Sequence, residues 1–150
     1  MEIPSVELFK ALAEEMNRDL ERFKHLGFID CRCVMAIEED ETLPAPKYYG
    51  LTFDTYNCID VREVKSPDEY QPDFVIHGPA AAWREMFENI AANGKADLGH
   101  TINRLTMAMI PMYVTGADVV EKERFFRYNQ SLQEFLNGYA KVAKKETATA

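Results

Sequence analysis

Between Asp73 and Thr115 the chain switches once from a strand period to a helical one, in the segment DFVIHGPAAAWREMFENIAANGKADLGHTINRLTMAMIPMYVT. Phe74 to His77 reads as a short strand. Gly78 is a tolerated cap, and Pro79 suits a first helical position, where its missing N–H has no partner to lose. Trp83, Met86, Phe87 and Ile90 then fall on one helical face. Gly94 can take the left-handed conformation that ends such a helix, and Asp97 offers a carboxylate to cap a short second one through Leu105. Met107, Met109 and Met112 follow, bunched around Pro111. A strand feeding directly into an apolar-faced helix requires a layer of helices on a sheet.

The rest of the chain supplies both layers. Val6, Phe9, Leu12, Met16, Leu20 and Phe23 recur at helical spacing behind Pro4-Ser5, and Gly27 ends that pattern. From Ile29 the period becomes two: Ile29, Cys31, Cys33, Met35 and Ile37 share one face, giving a strand with a single buried side. Glu39-Asp40-Glu41 and the prolines at 44 and 46 make a polar loop. A second strand follows, with Tyr49, Leu51 and Phe53 on one face. Asn57 to Val64 makes a third, on which Ile59 and Val61 share a face, and residues 65–72 are a turn-rich connection. From Asp118 a single long helix is expected, with Phe125, Tyr128, Leu132, Phe135, Leu136, Tyr139 and Val142 as its core stripe. Phe126 lies off that stripe, near Asn129, Gln133 and Asn137. The strands succeed one another like hairpins, without the helical crossovers a parallel sheet needs. The spacing therefore predicts an α+β domain with a mostly antiparallel sheet of about five strands packed against helices. That single domain covers residues 1–143, and 144–150 form a flexible tail.

The central segment resembles the sterol carrier protein family, in particular its small single-domain bacterial members, on Phe74, Ile76, Gly78, Trp83, Gly94-Lys95, Asp97 and Leu105. It departs from their pattern after Arg104, where Leu-Thr-Met-Ala-Met-Ile-Pro and then Gly116-Ala-Asp118 replace a glycine, a strand and a Gly-Asp pair. The departure bears on the ligand rather than on the fold. The resemblance implies the same α+β architecture, with a long apolar tunnel between sheet and helices.

The segment also holds more large apolar residues than one helix–sheet contact absorbs. An elongated cavity is therefore expected, walled by Trp83, Phe87, Met107, Met109 and Met112. Met86 and Phe126 complete the candidate ligand-binding set, Phe126 at the mouth or against a second subunit. Methionine suits such a wall because its unbranched, polarizable side chain repacks around different shapes.

Charge and motif narrow the chemistry. A net charge of −8 and a pI near 4.9 exclude a phosphate-backbone partner, which clustered Lys and Arg would have to neutralise. No apolar run approaches the ~20 residues of a membrane span, and Met1-Glu2 opens acidic where a signal peptide needs positive charge. The three cysteines suit a reducing, cytoplasmic setting. Cys31 and Cys33 lie about 6.6 Å apart at Cα on a strand with parallel side chains, so they form no disulfide, and no second pair stands at a zinc spacing. Serine elbow, phosphate loop and HExxH motif are all missing from the sequence, so no catalytic residue, metal or cofactor is assigned.

The expected function is non-catalytic binding or carriage of a hydrophobic small molecule, a lipid, fatty acyl or sterol-like compound, by a monomer or homodimer. The alternative is a small isomerase or dehydratase using His77 as base with Asp30, Asp54 or Asp60 as its acid.

Overall fold

The computed structural model describes residues 1–107 and 111–149. Helix α1 (Val6–Arg18) opens on Ser5, whose hydroxyl accepts the Leu8 N–H at 3.1 Å, and it buries Leu8, Phe9, Leu12, Ala13 and Met16. The helix expected to reach Phe23 breaks at Asp19. The Asp19 carboxylate accepts the Arg22 N–H, which starts the one-turn α2 (Leu20–Lys24), and Gly27 at φ 89° ends it. An Asp in mid-pattern competes for backbone N–H groups, and here it caps a new helix.

Strands β1 (Cys31–Glu38), β2 (Lys47–Asp54), β3 (Asn57–Val64), β4 (Phe74–Pro79) and β5 (Tyr113–Gly116) form one sheet in the order β3-β2-β1-β4-β5. All pairings are antiparallel except β1–β4, which runs in parallel from Cys33 opposite Phe74 to Glu38 opposite Pro79. The β2–β3 hairpin and a short 3-10 helix (Pro67–Tyr70) intervene between β1 and β4, bringing the chain back in the same direction.

The β3 face assignment from the sequence is corrected by a bulge. Leu51 pairs with Val61 but Phe53 pairs with Cys58, so Ile59 is the extra residue and is 61% exposed, while Cys58 is buried. Across a bulge, alternation reverses.

Helices α3 (Ala80–Asn93), α4 (Ile102–Met107), α5 (Val119–Asn137) and α6 (Tyr139–Thr149), together with α1, cover one sheet face, and their apolar sides join Cys31, Cys33, Met35, Ile37, Leu51, Phe53, Phe74 and Ile76 in the main core. The other face is covered locally by the 3-10 helix. There Tyr70 closes a second cluster over Val34, Ala36, Val64 and Val75, so β1 is buried on both sides. The Tyr70 ring lies flat over Gly50, where a Cβ would sit 2.5 Å from it; the Tyr70 hydroxyl donates to Asp60 at 2.8 Å, and Arg32 stacks 4.4 Å from the ring centre.

Three boundaries differ from the sequence reading. Gly78 belongs to β4, and Pro79 is the cap residue of α3. The short helix expected at Asp97 begins only at Ile102, with the Thr101 hydroxyl accepting the Arg104 N–H. The expected single C-terminal helix is divided at Gly138, where α1 approaches: a Cβ there would lie within 4 Å of Leu12 and Glu15. Helix α6 continues to Thr149, so residues 144–149 are helical rather than a loose tail, and Lys145 lies on Glu15.

Candidate ligand-binding site

The candidate residues divide into two groups. Trp83, Met86, Phe87 and Met112 are inside, each at most 1% exposed. The Trp83 indole N–H donates to the carbonyls of Gly78 (3.2 Å) and Ala36 (3.3 Å), which fixes the ring against the end of β4. Met112 lies over the bare Cα of Gly78, where a Cβ would come 2.7 Å from its Cγ and 3.2 Å from the Trp83 nitrogen. Phe87 packs between the Trp83 ring, 6.5 Å away, and the Tyr139 ring, 5.2 Å away. These side chains fill the layer between sheet and helices. The tunnel implied by the resemblance is not seen among the described residues, because aromatic rings from α1, α3 and α6 meet where it would run.

Met107 and Phe126 are outside, 65% and 56% exposed, and Met109 falls outside the described residues. Their neighbourhood is set by two contacts between α4 and α5: the Gln133 side chain accepts the Ile102 N–H at 2.6 Å, and Asn129 donates to Asn103 at 3.2 Å. Met107 follows Asn103 by four residues on α4 and Phe126 precedes Asn129 by three on α5, so each exposed side chain shares a helix face with one member of that contact. Phe126 also touches Phe125, which is fully buried edge-on against Phe74 of β4. A path of rings leads from solvent to the sheet.

Between the same two helices and Leu26 opens a cleft of about 410 Å³ lined by Leu26, Thr101, Asn103, Asn129, Gln130, Gln133 and Glu134. Its lining is neutral but for Glu134, which pairs with Arg22. The arrangement offers amide donors and acceptors beside the apolar Leu26. Sequence reasoning placed Asn129 and Gln133 on the Phe126 side of the helix; it missed Thr101 and Asn103, since their meeting with α5 is long-range and leaves no local pattern.

His77 is on the opposite sheet face. Its ring stacks on Tyr113 at 4.4 Å with 2° between planes, and Nε2 meets the Thr115 hydroxyl at 2.8 Å. The acid nearest in charge effect is Glu38, which accepts the Tyr113 hydroxyl at 2.9 Å; burial outweighs it and holds the imidazole below its usual pKa. None of the three strand aspartates partners His77, and Asp60 is committed to Tyr70 and Arg62. The acid–base pair of the enzymatic alternative is not assembled. Cys31, Cys33 and Cys58 are buried and unpaired. Burial pushes the Cys58 thiol up to about 12, and Cys31 beside it together with burial raises that of Cys33.

No protein-family model matches the chain, and no curated protein matches it by sequence. Solved structures do. The solution structure of a conserved hypothetical protein of Thermus thermophilus, described as a possible sterol carrier protein, aligns at a TM-score of 0.67 and 18% identity over 95% of this chain and 90% of that one. A crystal structure of sterol carrier protein 2 aligns at 0.64 and 17% over 93% and 98%. The apo form of sterol carrier protein 2 from Yarrowia lipolytica aligns at 0.50 and 13% over 88% of each chain. Over nearly its whole length, the chain has the fold of sterol carrier protein 2.

Proposed function

We propose that the protein binds and carries a hydrophobic small molecule, a lipid, acyl or sterol-like compound, without making or breaking bonds, and that the ligand enters along the α4–α5 face. The observation that carries this reading is a cleft between α4 and α5 whose lining is neutral apart from one ion-paired glutamate, with Met107 and Phe126 exposed on the same two helices. Apolar rims gain by covering, and uncharged linings lose little when water leaves. Burying ~300 Å² of acyl or ring surface yields about 7 kcal/mol before ordering costs, enough for micromolar affinity. Likeness to proteins named sterol carriers supports the ligand class. Three buried, unpaired thiols suit a reducing compartment, and the setting in this reading is the cytoplasm.

The test is to denature the purified protein, extract it with organic solvent and identify what is released by mass spectrometry, then titrate the emptied protein with that compound or with a fluorescent fatty acid. Binding should survive His77→Ala, since transfer of apolar surface needs no general base. Finding no extractable lipid and no uptake of fatty acyl or sterol probes would overturn the reading. Turnover abolished by His77→Ala in a folded protein would replace it with catalysis.

A further inference from the structure

A second cleft of about 380 Å³ opens where the start of α1 meets the β1–β2 connection and the β2–β3 edge, and it shares no residue with the α4–α5 cleft. Its floor is Tyr49. The Tyr49 side chain is 1% exposed and packs on Phe9 at 5.0 Å, yet among the described residues its hydroxyl has no hydrogen-bond partner. Its oxygen keeps access to the cleft, so a ligand there can supply the partner that the protein does not.

The charges around that hydroxyl are sorted. Glu2, Glu7 and Glu63 line the cleft along with Lys47 and Arg84. Arg84 is held in the wall, its Nε donating to the Ile3 carbonyl at 2.7 Å and its terminal nitrogens to the Thr42 hydroxyl and carbonyl. Lys47 lies 3.6 Å from Glu63, while Glu2 and Glu7 have no ion-pair partner among the described residues. Burial raises the phenol's pKa, and Glu63, Glu7 and Glu2 raise it further, so these carboxylates stand near enough to act on the hydroxyl. Ile3, Val6 and Leu43 supply apolar walls.

We propose that this cleft is a binding site for a small organic cation, a primary alkylammonium whose head takes the place between Glu7, Glu63 and the Tyr49 oxygen and whose stem lies against Ile3, Val6 and Leu43. The phenol keeps its proton at neutral pH, so its lone pairs accept an ammonium N–H while its hydrogen remains available to a carboxylate. The ammonium satisfies the open position on the floor and the rim carboxylates together, Glu7 as an unpaired partner and Glu63 as one shared with Lys47. Neither an anion nor a neutral alcohol does both.

The test titrates the full-length protein at low ionic strength with n-hexylammonium, n-hexanol and n-hexanoate, following the methyl resonances of Ile3, Val6 and Leu43. Hexylammonium should bind and shift those signals, with the alcohol and the acid at least roughly tenfold weaker. Glu7→Gln and Glu63→Gln should each weaken hexylammonium roughly two- to fivefold, the scale of one exposed ion pair. Tyr49→Phe should weaken it without a change in thermal midpoint, since the lost hydroxyl has no partner in the protein. Both glutamates are exposed, so their variants should fold. Equal binding of the three probes would overturn the site, as would hexylammonium affinity indifferent to both glutamate variants, which means general attraction to an acidic surface, or no binding at all.

Discussion

Two side chains in this protein behave as their surroundings dictate rather than as their type suggests. Tyr70 is far from the main core yet is 2% exposed, because Gly50 leaves room for its ring and Asp60, Thr52 and Arg32 hold its edge and face. Gly50→Ala forces that ring off β2 and should destabilise the fold by about 1–3 kcal/mol, the usual effect of overpacking, as read from urea denaturation. Phe126 is the converse, a large apolar ring in solvent next to a fully buried one. Leu132→Ala and Phe135→Ala each open a cavity in the core and should lose about 2–5 kcal/mol, whereas Phe126→Ala should lose less than ~1 and lower lipid uptake or self-association instead. Melts and binding isotherms on the three variants check it; a Phe126→Ala protein as unstable as Leu132→Ala would show the ring to be part of the core.

At the scale of elements, the ends of α3 are secured by partners of different kinds. Its start has no cap from its own chain segment. Asp40, in the loop that sequence alone marks only as polar, accepts the Ala81 N–H at 2.8 Å together with the Thr42 backbone and hydroxyl, and these bonds hold its carboxyl down to about 2. Its end is followed by Gly94 at φ 83° and a turn in which Asp97 accepts from Asn89 and pairs with His100. The His100 bond lowers the Asp97 pKa, and the Asp97 bond raises that of His100. A raised histidine contributes stability below its ordinary 6.5 that is lost as pH rises through the folded value. A lowered aspartate contributes above its ordinary 3.8 and loses this as pH falls. The pair is therefore fully effective between those two values. The drop in thermal midpoint on His100→Gln should be largest near pH 5 and shrink toward pH 9; an equal drop at both would mean the contact acts by packing alone.

On the scale of the whole molecule, Trp83, Phe87 and Met112 are at most 1% exposed among the described residues, so a ligand reaching them must displace side chains and uptake should be slower than diffusion allows. The three cysteines report on the same closure. All are buried, at 0 to 4% exposure, and the raised pKa values of Cys33 and Cys58 leave little thiolate at neutral pH. Labelling with a disulfide reagent should be slow in native protein and release all three thiols on denaturation. If one or two react quickly in the native state, the core opens locally, and the position labelled tells where.

What the sequence determined by itself was periodic and local. The strand-to-helix switch at Phe74–Trp83, the stripe Trp83-Met86-Phe87-Ile90, the Gly94 stop and the alternation of Cys31 to Ile37 all appear in the structure, because burial on one face imposes a period that short windows record. The position of Phe126 off the C-terminal stripe was legible for the same reason. Only the tertiary structure decided matters that depend on partners distant in the chain. Among them are the parallel β1–β4 pair, the bulge that turns Ile59 outward, Asp40 as the cap of α3, and His77 on the sheet face away from the helices. The clefts belong with these. Asn103 meets Asn129, and Tyr49 shares a cleft with Glu7 and Glu63, through sheet order and helix packing, so no spacing in the sequence announces either site, whereas Trp83, Met86 and Met112, which did stand out, are residues the core uses up.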